Sequence, residues 1–203
     1  MGGSGAVEKR KKLAPGMNTI CEIDPQTISK YWGHNDSFGY HIEEKCFIEW
    51  YRNRKFLHGT TLIYADPPYL LSSRASGKEY YRHEWDDEMH ERFLTFMCSS
   101  RDLVAISHYK CSLYDKYLKD WRLIEWPVMT HAGPRKEALY MNYSEPAELH
   151  QYDFLGKNFT DRQRLKRMKQ NMICKLDRLP DQSRYMILEA VQEYIRIHRT
   201  KKL

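Results

Sequence analysis

Along the chain, short apolar and β-prone runs alternate with stretches whose apolar residues recur at helical spacing. "NTICEID" (18–24) reads as a short strand ending in acids, and "PQTISKYW" (25–32) has the proline-first pattern of a helix start. "GHNDSFG" (33–39) reads as loop and "KCFIEWYRNRKF" (45–56) as helix. "TTLIYAD" (60–66) is a continuous apolar run, which predicts a strand covered on both faces. A polar loop rich in Ser, Arg and Tyr follows over 70–84. "DDEMHERFLTFMC" (86–98) opens on acids and continues at helical spacing, a helix with a stabilised amino end. "DLVAISHY" (102–109) predicts a strand and "SLYDKYLKDW" (112–121) a helix. Two further strands, "RLIEWPVM" (122–129) and "EALYMNY" (137–143), are joined by "THAGPRK", a natural hairpin turn.

The predicted order is therefore β-α-α-β-α-β-α-β-β. Alternation of this kind implies an α/β fold, a mainly parallel sheet with helices on both faces, closed here by an antiparallel hairpin. The character changes after Glu145, which divides the chain into 1–145 and 146–203. In the second part, 157–179 is heavily basic and 182–198 has the pattern of an amphipathic helix. The sequence contains no internal repeat.

Composition narrows the function classes. With 203 residues, 41% hydrophobic and 30% charged, the chain is long enough for a packed core and has a globular balance. A formal net charge of +6 suits an anionic partner such as nucleic acid without requiring one. Five scattered cysteines with no CxxC pair argue against a disulfide framework and a zinc site, and suit a reducing cytoplasm. No apolar run is long enough to span a membrane.

Candidate chemistry concentrates in "LIYADPPYL" (62–70). A strand there runs into Asp66-Pro67-Pro68-Tyr69, and two prolines make the corner stiff. In open parallel sheets ligands bind beyond the carboxyl ends of the strands. A corner at that position presents a carboxylate, a backbone carbonyl of fixed direction and an aromatic face. Carboxylate and carbonyl can accept both hydrogens of an amino group while the ring stacks on a planar base. The bland alternative is an ordinary Pro-Pro turn with an Asx-type aspartate.

The chain resembles the S-adenosylmethionine-dependent N6-adenine DNA methyltransferases of the DNA adenine methylase type found in bacteria and phages. "LIYADPPYL" matches the catalytic motif of that family, with Asp66, Pro67, Pro68 and Tyr69 in its four positions. "MGGSGAV" (1–7) is similar to its glycine-rich cofactor loop, with Gly3 and Gly5 in the glycine positions. "CEID" resembles the acidic end of the second strand, where Glu22 would hold the ribose hydroxyls. "ISHYKCSLYD" and "RKEALYMNY" resemble the later strand and closing hairpin of the same fold. The resemblance implies a Rossmann-like methyltransferase fold and S-adenosylmethionine as cofactor, bound through Gly3, Gly5, Glu22 and Asp66. It implies a partner too: double-stranded DNA from which an adenine is flipped and stacked on Tyr69. No metal is called for. Restriction–modification, phage and regulatory roles stay open, as does the target sequence.

Three positions depart from the family pattern. Met1 stands where the family has phenylalanine, so the cofactor loop would open the chain and the preceding strand would be lacking. "GGSG" reads either as that loop or as a flexible linker. On the first reading the sheet has an unpaired edge, which self-association or a partner chain would cover. Cys46 replaces an aspartate near the cofactor's adenine and is expected to be a small buried hydrophobe without a cofactor role. His108 replaces a glycine and is expected to be a tolerated surface histidine.

Contacts to nucleic acid have two candidate sources. The loop after the corner carries Arg74, Lys78, Tyr80, Tyr81 and Arg82, suited to filling the gap left by a flipped base. The basic tail carries Arg164 and Arg167, suited to phosphates. The alternatives are a solvated loop and a solvated helix face. Function likewise keeps rivals: methylation of RNA adenine, cytosine N4 or a glutamine amide, or an inactive or subunit-dependent remnant that binds DNA.

Overall fold

The computed structural model describes residues 17–31, 40–54, 60–74, 79, 81–130 and 133–199. Contacts divide the chain into two compact units, Met1–Glu148 and Leu149–Leu203. Both are helical in part, and among the described residues all the strands lie in the first.

That first unit runs β1 (Thr19–Glu22), α1 (Pro25–Tyr31), β2 (His41–Glu44), α2 (Phe47–Asn53), β3 (Leu62–Ala65), α3 (Asp87–Cys98), β4 (Leu103–Tyr109), α4 (Ser112–Tyr117), β5 (Arg122–Thr130) and β6 (Gly133–Met141). β2 is a strand that the hydrophobic pattern passes over. Its four residues, "HIEE", carry two acids and are too few to show an alternation. With β2 included, strands and helices alternate strictly up to the closing hairpin.

The strands form two sheets. β1 pairs with β2 in parallel. The other sheet has the order β3-β4-β6-β5, in which β3 and β4 are parallel while β4–β6 and β5–β6 are antiparallel. This four-stranded sheet is therefore mixed rather than mainly parallel. The hairpin is also longer than expected: its ladder runs from Arg122 opposite Met141 out to Thr130 opposite Gly133. Most of the stretch read as a turn is strand. Pro127 is tolerated there because β5 is an outer strand, where a missing N–H breaks no inner ladder.

β4 is the strand covered on both faces. Val104 through His108 are all buried, although their side chains alternate between faces. That property was expected of β3, and there the expectation fails. On β3, Ile63 is buried while Leu62 is 61% and Tyr64 is 46% exposed; among the described residues β3 is an outer strand, with one face open.

Helix α3 supplies the facing layer. Asp86 caps it by accepting from Met89 N–H at 2.8 Å, and Asp87 and Glu88 complement the dipole of the first turn. His90, Phe93, Leu94 and Met97 form its buried stripe at i, i+3, i+4 and i+7. They join Val104, Ile106, Tyr114, Leu118 and Tyr140 in the core. α2 adds Phe47 and Tyr51, whose rings meet Phe93 and Phe96 edge-on at 6.1 and 5.0 Å. Tyr51 also donates to Asp102 Oδ2 at 2.6 Å, and Arg54 pairs with the same carboxylate, tying α2 to the start of β4.

The second unit contains α5 (Phe159–Asp177) and α6 (Asp181–Arg199). Asn158 caps α5 through Asp161 N–H at 2.9 Å. Just before it, Gly156 has φ +130°, and an added Cβ would meet Arg162 N at 2.8 Å. Arg184 of α6 donates to the Leu176 and Leu179 carbonyls at 3.0 Å each, satisfying groups at the end of α5. Among the described residues, no helix is long and apolar enough to cross a membrane.

If α3 anchors this core, Leu94→Ala should lower unfolding stability by about 3 kcal/mol, because a fully buried leucine leaves a cavity. Urea unfolding would read this as a lower midpoint with an unchanged slope.

Candidate active site

β3 ends at Ala65 and hands the chain to Asp66-Pro67-Pro68-Tyr69. Leu62 pairs with Leu103 and Ala65 with Ile106, so the corner stands at the carboxyl end of a parallel pair. β4 continues to Tyr109, and its last residues wall one side of the corner. Asp66 is exposed, Pro67 is buried, and Pro68 and Tyr69 are half-buried.

The Tyr69 ring stacks on Tyr109 with centroids 4.0 Å apart, and it meets His108 edge-on at 5.3 Å. Its hydroxyl donates to Glu137 Oε1 at 3.5 Å, a residue that β6 places opposite Tyr109. Burial, followed by the Asp66 and Glu137 carboxylates, pushes the Tyr69 phenol well above its usual range, so it stays neutral. Burial and then Asp66 also push the Tyr81 phenol up, which places Tyr81 within electrostatic reach of that carboxylate. Asp66 thus lies within electrostatic reach of two neutral tyrosines.

Arg74 does not project from the loop toward solvent. It is buried, with Nε donating to the Tyr69 carbonyl at 2.7 Å and Nη2 donating to the same oxygen. Its other donors reach the Glu84 carboxylate at 2.7 and 2.5 Å, a bidentate pair. Glu84 Oε1 also accepts from Tyr81 N–H at 2.8 Å, closing the loop on itself. The guanidinium expected to meet nucleic acid is engaged as scaffolding of the corner, because a charge at this depth needs a partner and Glu84 is within reach.

His108 is another correction. It is 0% exposed, not a surface residue, because it lies on the strand covered on both faces. Tyr114 stacks on it at 3.8 Å with the rings 12° apart. Its Nδ1 lies 2.7 Å from the Tyr109 carbonyl and its Nε2 accepts from Leu70 N–H at 2.9 Å. A carbonyl only accepts and an N–H only donates, so the ring is neutral with its proton on Nδ1. Burial holds its pKa down to about 3. Nearby His90 is also fully buried, bonds Tyr114 Oη through Nδ1 at 2.9 Å, and is held down to about 4 by burial. No partner is found for its Nε2 among the described residues.

On the expected cofactor side, Glu22 is half-buried at the end of β1 and accepts from Asp24 N–H through Oε1 at 3.0 Å. Asp24 caps α1 through Gln26 N–H and the Thr27 hydroxyl. Arg82, late in the loop that follows the corner, donates to Asp24 Oδ1 at 3.0 Å and to Gln26 Oε1 at 2.6 Å. This bridge brings the carboxyl end of β1 and the segment following β3 together. Cys46 packs against the core, as a small hydrophobe does. Gly3, Gly5, Lys78 and Tyr80 lie outside the described residues. Arg164 and Arg167 are exposed on α5 in the second unit, with Arg164 paired to Asp161 at 2.9 Å. No group of three metal-ligating side chains occurs among the described residues.

The chain matches no family model and no curated protein. The functional reading therefore rests on the corner itself and on the resemblance of its motif.

Sequence reasoning missed four residues that build this site: His108, Tyr109, Glu84 and Glu137. The available signal was a histidine and a tyrosine inside an otherwise apolar strand. Glu84 and Glu137 carried none, since each is one acid among many.

Two buried neutral histidines contribute to the pH response. Each has a folded pKa below the ordinary 6.5, so the unfolded chain binds protons first as pH falls. Their contribution is complete above about pH 6.5 and declines as pH drops toward about 4 and then about 3. The urea midpoint should fall accordingly on acidification, and His90→Gln should reduce that fall because it removes one group that must charge.

Proposed function

We propose that the chain is an S-adenosylmethionine-dependent DNA methyltransferase acting on the N6 amino group of adenine, built on a Rossmann-like fold. The observation that carries this reading is the Asp-Pro-Pro-Tyr corner at the carboxyl end of β3, its exposed carboxylate beside neutral aromatic rings.

The strand order is compatible with the fold. β1–β2 and β3–β4–β6–β5 become one doubly wound sheet if a single parallel strand lies between β1 and β3. The Arg82 bridge to Asp24 supports a crevice shared by the two strand ends. Glu22 fits a pair of vicinal hydroxyls, since one backbone donor does not exhaust a carboxylate with about four acceptor sites.

In the reaction, the target base leaves the duplex and stacks on the face of Tyr69 opposite Tyr109. The Asp66 carboxylate and the Pro67 carbonyl accept the two amino hydrogens and draw the nitrogen lone pair out of ring conjugation. The cofactor, when bound, supplies an electrophilic sulfonium methyl. Transfer would form a carbon–nitrogen bond as the carbon–sulfur bond breaks, sulfur would keep that electron pair, and the amino proton would pass to solvent. Neutral tyrosines leave Asp66 as the acceptor at this point, and the stiff corner supplies orientation.

A second reading has an observation of its own. Among the described residues β3 is the outer strand of its sheet, and an added strand from a chain segment or a partner would pair its edge. Activity would then depend on that strand. Methylation of RNA adenine or cytosine N4 would use the same corner chemistry.

Asp66→Ala should lower methyl transfer to adenine-containing duplex DNA by roughly a hundredfold or more while leaving the unfolding midpoint near wild type. Radiolabelled transfer decides this, and a variant that retains turnover removes the assignment. If Arg167 tracks a phosphate, Arg167→Ala should reduce the slope of log binding constant against log salt by about 0.9. An unchanged slope would make it a solvated helix residue.

A further inference from the structure

The peptide unit joining Tyr69 to Leu70 is held at both polar ends by side chains. Its carbonyl accepts from Arg74 Nε at 2.7 Å and again from Nη2. Its N–H donates to His108 Nε2 at 2.9 Å. This unit directly follows the catalytic tetrapeptide, at the point where β3 has already ended. A buried peptide group outside a sheet ladder must find partners elsewhere, and here both come from side chains that are themselves buried.

Each arm of this clamp is in turn held. Arg74 is fixed by Glu84, whose carboxylate takes two of its donors. His108 is fixed by Nδ1–H donation to the Tyr109 carbonyl, by Tyr114 stacked on its face, and by Tyr69 against its edge. Tyr109, the residue after His108, carries the Tyr69 ring on its own face. One strand end thus positions both the backbone and the ring of the last motif residue.

We infer that His108 and Arg74 are positioning residues, which clamp the Tyr69–Leu70 peptide so that the Asp66 carboxylate, the Pro67 carbonyl and the Tyr69 ring face the target base in one fixed arrangement. This rests on the methyl-transfer reading of the corner. The clamp works with His108 in one form only: neutral, protonated on Nδ1, bare on Nε2. Protonation of Nε2 would turn donor against donor at Leu70. The surroundings favour the neutral form. Arg74 of the loop brings positive charge, while His90 of α3, Tyr69 of the corner, Cys111 and Tyr114 at α4 and Tyr109 of the same strand are neutral groups. Cross-strand Ala138 carries no charge.

The test combines spectroscopy on the full wild-type chain with two variants. Nitrogen-15 NMR of the histidine rings should find His108 protonated on Nδ1 and bare on Nε2, with no titration between about pH 7 and about pH 5. The Leu70 amide should exchange slowly. A His108 protonated on Nε2, or titrating near its ordinary value, overturns the clamp, and this measurement needs no variant to fold. In methyl transfer, His108→Phe keeps a ring but removes the acceptor, and should lower kcat roughly tenfold to a hundredfold with KM for S-adenosylmethionine nearly unchanged. His108→Gln restores an acceptor at the same reach and should recover part of that loss. Equal kcat for wild type and His108→Phe overturns the positioning role. A wild-type chain that transfers no methyl group, yet keeps the bare Nε2 and the slow Leu70 amide, overturns the methyl-transfer reading and supports the clamp.

Discussion

Burial of β4 on both faces is the constraint from which the first unit is built. A strand covered on both sides must be supplied with apolar neighbours above and below, and its backbone must be paired along both edges. β3 and β6 satisfy the edges, and the stripe of α3, with Tyr114 and Leu118, satisfies part of the surface. The Asp-Pro-Pro-Tyr corner leans on the carboxyl end of this strand. His108 and Tyr109 occupy that end.

The same burial shapes the electrostatics. A histidine and several tyrosines next to the corner are stripped of water, and each responds by holding its neutral form. Charge is present but kept in pairs: Arg74 with Glu84 inside the loop, Arg82 with Asp24 across the two strand ends. The first is buried and acts on geometry, fixing a carbonyl direction. The second is largely exposed, contributes little energy by itself, and matters for what it holds together.

The second unit follows simpler physics. Its two helices are stabilised locally, by an Asn158 cap, a Gly156 turn and an Arg184 side chain placed on the last carbonyls of α5. Its basic residues remain at the surface, where opposite charge is found within the same helix turn, as between Arg164 and Asp161. Such a surface suits sequence-blind attraction to phosphates better than any geometrically demanding chemistry.

By itself the sequence determined the local elements and the corner. Periodicity located α3, β4 and the hairpin strands because those signals are carried by neighbouring residues, and two prolines after an aspartate stiffen a turn in any context. What it did not determine were relations across space. Nothing local marks β4 rather than β3 as the strand covered on both faces, since both are short apolar runs and only sheet order separates them. β2 was missed because four residues with two acids carry no period. Arg74 reads as a surface cation until Glu84 is placed beside it, and His108 reads as a surface substitution until the strand around it is buried. The hydrogen bond from Leu70 to His108 joins residues 38 positions apart. Tertiary packing alone decides such a contact, because the desolvation that makes a buried N–H demand a partner exists only once the chain has folded.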